Sequence, residues 1–429
     1  MIKWFIQLVL IGAFIGSNIY IYDSSLSFFN IFIFLSNFYI LANSGKLFKI
    51  NFLIVVGILL LFIIIGLLYL FLYYRNFEQI KDLIYSTYII TLFILVYLGV
   101  SENRDAFLKL FLNSFVLLYW IIFFIVIAEY VTGWHLSISN SNINTNENIP
   151  TAFFANYNDL ATAVMIFMPL LYYLADYYSF RVYKFIIIFI TSTVVIITLS
   201  RMAFLLLLSF PLFLLLQKRK YFLFISSIFL LLTLGFILLQ QDIIYQPESP
   251  TFYNRTYNKI VSVIKYKVEL QANSSSVSQR FEIYNMVFKK PENYFFGNGF
   301  RSGEIILKQN DKILVTDPHS FFIETIFNFG YFGLIPILAV ILGPLIISLR
   351  YFNRNELFRF AFVQTIYFIL LINVPSSIYR FPLVWIPIAF LYSLLVIPNK
   401  NPLIANRQNI TLTTFDDSKI TNSNQTMSQ

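Results

Sequence analysis

The chain contains no cysteine in 429 residues, so disulfides and thiolate metal sites are excluded. Histidine is almost as scarce, with two, His135 and His319, and only 12% of residues are charged. Such a charge content does not suit a soluble domain. A cleavable leader is also missing: Lys3 precedes a long apolar run with no small-residue cleavage site, so the first span is expected to stay as an anchor. None of the apolar runs carries a charge near its middle; Glu129, Asp176 and Glu324 all fall near run ends. Ion-coupled transporters usually keep such a group at mid-depth, and no inverted repeat is visible, so transport loses ground. Asp317 and His319 could share an ion, but no second histidine or carboxylate cluster lies nearby, and the first outer loop, Asp23 to Ser25, is too short to house one. No metal and no cofactor are expected.

What the chain does have is apolar length. Hydrophobic residues make up 58%, aromatics 19%, and the mean hydropathy is +0.73. Runs long enough for a bilayer occur at 4–22, 26–42, 52–74, 83–100, 110–131, 160–178, 185–199, 202–216, 221–239, 330–349, 358–374 and 383–397. The fold class predicted is all-α: a polytopic membrane protein of about twelve transmembrane helices with a large, partly helical external loop between helices 9 and 10. Charge orients it. With the N-terminus in the cytoplasm, the short inner segments and tails hold sixteen Lys and Arg, and the short outer loops hold four, Arg75, Lys81, Arg201 and Arg380. The formal charge of +9 is therefore a topology signal, and nucleic acid is not an expected partner. Residues 1–239 form helices 1–9 in this reading, and 240–319 form the external loop, which bears part of the site. Helices 10–12 follow in 320–398, and the polar stretch 399–429 is a disordered cytoplasmic tail.

Three cationic or titratable residues stand out. Arg201 divides two apolar runs in "TLSRMAFL" on the outer side. It reads either as a snorkelling anchor or as a guanidinium placed for a lipid pyrophosphate. Arg280 lies in "SSSVSQRFEIYNMVFKKPENYFFGNGF", where Ser276 with Gln279 resembles a capping box and Pro291 ends the run. The predicted helix is 277–290, with Arg280 in its first turn, where the dipole favours a cation only if an anion docks there. The other reading is a solvated loop arginine. Gly297 and Gly299 read as turn geometry only.

His319 follows Asp317 and Pro318, a helix-start pair, which predicts the imidazole in the first turn of a helix entering the membrane from outside. The dipole there favours the neutral base, as abstraction of a hydroxyl proton requires. The alternative is an interfacial histidine bonded to a backbone carbonyl. His135, in an Asn-rich loop, has no comparable context.

Four ordered stretches, "TAFFANYNDLAT" (151–162), "TLSRMAFL" (198–205), "SQRFEIYNMVFKKPENYFFGNGF" (278–300) and "DPHSFFIETIFNFGYFGL" (317–334), resemble the O-antigen ligase/polymerase family of bacterial membrane glycosyltransferases. The family often has Asn after the histidine; this chain has Ser320. The resemblance implies a metal-independent, inverting enzyme in the bacterial cytoplasmic membrane, with its site on the external face and both termini cytoplasmic. It also implies membrane lipid, an undecaprenyl-pyrophosphate-linked glycan and other polysaccharide-assembly proteins as partners. The catalytic roles fall on Arg201, Arg280 and His319, with Arg380 in "PSSIYRFP" assisting substrate binding. Polymerase and ligase are not separated by these motifs; polymerase is favoured because "FANYNDLAT" resembles members that build capsular, teichuronic or exopolysaccharide chains. A flippase is the competing class.

Overall fold

A computed structural model describes residues 2–15, 28–46, 50–73, 77–136, 149–154, 156–198, 200–228, 276–308, 320–374, 379 and 381–397. Among these residues every regular element is helical. In chain order they are α1 (Ile2–Ile15), α2 (Phe28–Ala42), α3 (Ile50–Tyr73), α4 (Phe77–Glu102), α5 (Arg104–Thr132), α6 (Tyr157–Tyr177), α7 (Arg181–Thr198) and α8 (Arg201–Gln217). They continue with α9 (Ser276–Lys289), α10 (Ser302–Lys308), α11 (Phe321–Arg350), α12 (Glu356–Leu371) and α13 (Ile386–Val396). Residues 221–228 are also helical. Helices prevail because a bilayer offers the backbone no hydrogen-bond partner, so each segment must satisfy its own.

Among the described residues, six helices are long and apolar enough to cross a membrane: Phe52–Tyr73, Gln79–Glu102, Arg104–Thr132, Tyr157–Tyr177, Arg181–Thr198 and Phe321–Arg350. The remaining candidate runs coincide with shorter helices, or in 221–239 are described only to residue 228. The run 4–22 is a helix only over Ile2–Ile15 among the described residues. The chain is thus a multi-pass membrane protein.

α6 is the central helix, buried on nearly every side and packed by α5, α7, α8 and α12. Pro169 interrupts it by lacking an N–H. Carbonyls flanking the freed position take side-chain donors instead: Tyr119 donates to Val164 O at 2.5 Å and Gln364 to Ile166 O at 2.8 Å. Around it lies an aromatic core in which Phe14 meets Phe115, Phe154 and Phe167.

The basic residues gather at one end of this bundle. Arg104 donates to Ile397 O at 2.7 Å, and Tyr178 to Asp105 O at 2.8 Å. Lys184 pairs with Asp176, Lys109 lies over the Phe180 ring, Arg219 bonds Asn353 O, and Arg359 bonds Gln217 O. Helix ends that the charge pattern assigns to one face thus touch one another. The described parts of the four stretches quoted above lie toward the other end.

Candidate functional site

Ser200 caps α8 from an extended conformation, and Arg201 is its first residue, partly buried. The Ser200 hydroxyl is buried and has no hydrogen-bond partner among the described residues. α8 runs antiparallel to α12, as two bonds establish: Tyr367 donates to Leu206 O at 2.8 Å, and Arg359 to Gln217 O. Arg201 lies five residues, about 7.5 Å, beyond Leu206 toward the end of α12. At that end Ile372 O accepts the Phe321 N–H at 3.3 Å, and Ser320 Oγ donates to Asn373 Oδ1 at 2.7 Å. The packing therefore brings the Arg201 turn and Ser320 to one level.

Two expectations about local geometry need correction. α11 begins at Phe321 with Ser320 as its cap, and Ser320 makes no side-chain capping bond; its hydroxyl donates to Asn373 instead. The first turn of the described helix is therefore 321–324, not the turn predicted to hold His319. Asp317, Pro318 and His319 themselves lie outside the described residues, as does Arg380. The second correction concerns Arg280. α9 includes Ser276, so Arg280 is its fifth residue and lies past the first turn, because Ser276 is helical rather than the predicted cap. Arg280 is partly buried, and at i−3 and i−7 it shares a face with Ile283 and Val287. Those two side chains are fully buried in a small apolar cluster with Tyr294, Leu307, Ile323, Ile326 and Phe327. The predicted helix and its stop before Pro291 are observed, and the helix docks on α11 through this cluster.

α11 is two helices joined at Gly330, where φ is 70° and ψ is −177°. The segment 295–302 crosses this break. Asn298 N–H bonds Phe327 O at 3.1 Å, Gly299 N–H bonds Asn328 O at 2.8 Å, and Phe332 N–H bonds Phe295 O at 3.2 Å. Ser302 Oγ adds a bond to Phe327 O at 2.6 Å. A Cβ on Gly330 would lie 2.2 Å from Phe295 O, and one on Gly297 would lie 2.3 Å from Gly330 N. Gly297 therefore does more than turn the chain: it allows two backbones to touch.

Around this crossing, Phe300 packs against Phe329 and Tyr379, its carbonyl accepts from Gln79 at 2.8 Å, and Arg301 pairs with Asp82 at 3.1 Å. Tyr379, next to Arg380, is fully buried, shares a 2.7 Å hydrogen bond with Thr325 Oγ1, and packs on Phe321 and Phe329. Burial, and then the nearby Glu324 carboxylate, push its phenol well above the ordinary value, so it stays neutral. The described chain neighbours of His319 and Arg380, Ser320 and Tyr379, are thus both fastened to the first turns of α11 or to the loop after α12.

The "TAFFANYNDLAT" stretch is held by a residue that sequence reasoning passed over. Glu129, 1% exposed in the last turn of α5, accepts the backbone N–H of Leu136 at 2.8 Å, Thr151 at 2.8 Å and Ala152 at 2.9 Å. Ala152 is held at φ 48° beside it. Two residues on, Phe154 packs between Phe14 and Phe381, and Asn156 caps α6 through the Asp159 N–H at 2.9 Å. The available signal was a carboxylate in the last turn of an apolar helix, where its own helix dipole opposes it. His135 lies 3.9 Å from the same carboxylate, as part of this loop anchorage. Among the described residues, no three His, Asp or Glu side chains gather in a metal-binding group.

Residues 186–338 match the family model described as O-antigen ligase, a span that runs from α7 into α11 and includes Arg201, Arg280 and His319. The resemblance to the O-antigen ligase/polymerase family is borne out by this match. No curated protein matches the chain.

Proposed function

With the match to that family as the premise, we propose that the chain is a membrane glycosyltransferase acting on glycans carried by undecaprenyl pyrophosphate. It works on the outer face of the cytoplasmic membrane, within a bundle of twelve crossings whose termini are both cytoplasmic. Arg201 and Arg280 hold the donor pyrophosphate by bidentate hydrogen bonds and stabilise its leaving charge. His319 orients and deprotonates the acceptor hydroxyl. Its oxygen bonds to the anomeric carbon as the carbon–pyrophosphate bond breaks, which inverts that carbon. The proton passes to the imidazole, and the pyrophosphate leaves with the electron pair. Arg380 assists in holding donor phosphate. The chemistry needs no metal, because the guanidinium groups supply the compensating charge.

The observation that carries this reading is the family match over 186–338. The levelling of the Arg201 turn with Ser320, next to His319, supports it. The acceptor is another lipid-linked repeat unit, which makes the protein a polymerase of O-antigen, capsular, teichuronic or exopolysaccharide type. Transfer to a different acceptor is the second reading, favoured by the ligase description of the matched family.

Purified protein reconstituted with lipid-linked repeat units tests this directly. Longer lipid-linked glycans identify a polymerase, and product only with a distinct added acceptor identifies a ligase. Lipid movement without new glycosidic bonds would overturn the enzyme reading in favour of a flippase. His319→Ala is expected to lower transfer about a hundred- to ten-thousand-fold while donor binding persists. Lysine at position 201 or 280 should rescue poorly, since an ammonium lacks the guanidinium fork.

A further inference from the structure

The last turn of α9 and the segment that joins it to the Gly330 crossing expose three large rings: Phe288 at 63%, Phe295 at 52% and Phe296 at 63%. Phe295 and Phe296 stand edge to face, 4.8 Å apart. Between them and Phe288 lie Lys289 and Lys290, both exposed. Rings this large, clustered and bare, need an explanation that scattered surface leucines do not.

Their position supplies one. Phe295 O accepts the Phe332 N–H, and Val287 O, one residue before Phe288, accepts the Tyr331 hydroxyl at 3.4 Å, so the rings sit at the outer end of an exposed stripe on α11 that includes Phe332, Ile335, Ile346 and Leu349. A second exposed apolar stripe, Leu60, Ile64, Leu67, Leu68, Phe71 and Leu72, runs along the neighbouring α3. α3 reaches the crossing, where a Cβ on Gly299 would lie 3.2 Å from Tyr73 Cβ. Both helices are long and apolar enough to span a membrane, so these stripes face lipid, and the rings continue the same surface.

Depth can be counted. Phe332 lies eighteen residues before Arg350, which ends the helix at the basic end, or about 27 Å along it. Phe71 lies about 32 Å from Ile50 along α3, whose start is tied to the basic end by stacking of Phe52 on Tyr97. A hydrocarbon core is about 30 Å thick. The rings therefore sit where the hydrocarbon gives way to headgroups, the level at which aromatic and basic side chains concentrate in membrane proteins.

We propose that Phe288–Phe296 is a membrane-interface anchor. Its three rings seat among the lipid tails just beneath the headgroups, and Lys289 and Lys290 lie among the lipid phosphates. The external segment then lies on the bilayer instead of projecting into water, and α9 is held at phosphate depth. That this serves Arg280 in reaching a lipid pyrophosphate rests on the glycosyltransferase reading; the anchor itself does not.

Because the chain lacks cysteine, single substitutions Phe288→Cys, Phe295→Cys, Phe296→Cys, Ile335→Cys and Glu292→Cys can each carry a nitroxide in the full-length protein. In vesicles of phosphatidylethanolamine and phosphatidylglycerol, collision with oxygen reports lipid and collision with a water-soluble nickel chelate reports solvent. Labels at 288, 295 and 296 should favour oxygen over nickel several-fold relative to 292, as the lipid-facing 335 control does. Nickel accessibility at 295 and 296 equal to that at 292 would overturn the anchor, and so would shielding from both reagents, which would mean that protein covers the rings. The rings are exposed, so one variant that fails to fold leaves two others to decide. None of these readouts involves glycan, so a failed transfer assay and a failed anchor are distinguishable.

Discussion

α5 and α11 are near twins in length and hydropathy, with 29 and 30 residues and each apolar enough to span a bilayer, yet they are built differently. α5 is continuous. Asn103 caps it through the Ala106 N–H at 3.1 Å, and Phe107, Phe111 and Phe115 form a buried ladder toward Phe390, Phe167 and Phe14. α11 breaks at Gly330, and its loosened carbonyls are satisfied by backbone from a segment some thirty residues earlier. The unbroken helix serves as scaffold. The broken one presents a short first half, 321–329, whose hydrogen bonds belong partly to the segment 295–302. The half nearer His319 is thereby coupled to α9 and Arg280, while the half nearer Arg350 stays in the bundle.

The sharpest way to break this contrast is Gly330→Ala. The glycine occupies a conformation that L side chains avoid, and the new Cβ would meet Phe295 O at 2.2 Å. Strain of this kind costs about 1–3 kcal/mol before the clash is counted. Loss of the folded 295–302 segment is expected, read as a large fall in thermal stability in detergent together with proteolysis within it. Gly57→Ala in α3 is the matched control: nothing lies within 4 Å, and helix propensity favours alanine by about 1 kcal/mol. Equal effects at the two glycines would remove the distinction.

Glu129→Gln probes a place where the unbroken helix also organises a loop. The amide keeps the shape but loses the charge that three N–H groups share, and hydrogen bonds to charged groups contribute about 1.5–3 kcal/mol each. A loss on the order of 3 kcal/mol is expected, localised to 149–156. Thiol labelling of Thr151→Cys should quicken in the Gln background, and unchanged protection would show that the N–H groups do not depend on the carboxylate.

The smallest expected effect is at the start of α5. Asn103→Ala removes a cap worth about 1 kcal/mol and should lower stability by that much without altering the loop at 149–156. A larger effect there would mean that both long helices depend on their ends, which would weaken the contrast.

Much of this architecture is readable along the chain. The break at Ser200 and Arg201, the short helix ending before Pro291 and the gathering of basic residues at one end all follow from local patterns of polarity and proline. The site is legible to a lesser extent. Arg201 opens α8 as its motif suggested, whereas Arg280 lies past the first turn in which its motif was expected to place it; their helices meet α12 and α11. Glu129, Asp82, Tyr379 and Asn373 were not visible as organisers, because each acts on groups at least several turns away in sequence: Glu129 on Thr151, Asp82 on Arg301, Tyr379 on Thr325, Asn373 on Ser320.

Residue order alone determined that this chain is helical and meant for a bilayer, since lipid leaves the backbone only internal hydrogen bonds and long apolar runs can meet that demand without help from elsewhere. It also determined which ends carry the positive charge. Only the tertiary structure decided that α11 breaks while α5 does not. Glycine permits a break without requiring one, and this break forms because the backbone at Gly297 comes close enough to meet Gly330. That contact joins two stretches of chain by shape and hydrogen bonding, a pairing that the periodicity of neither stretch expresses.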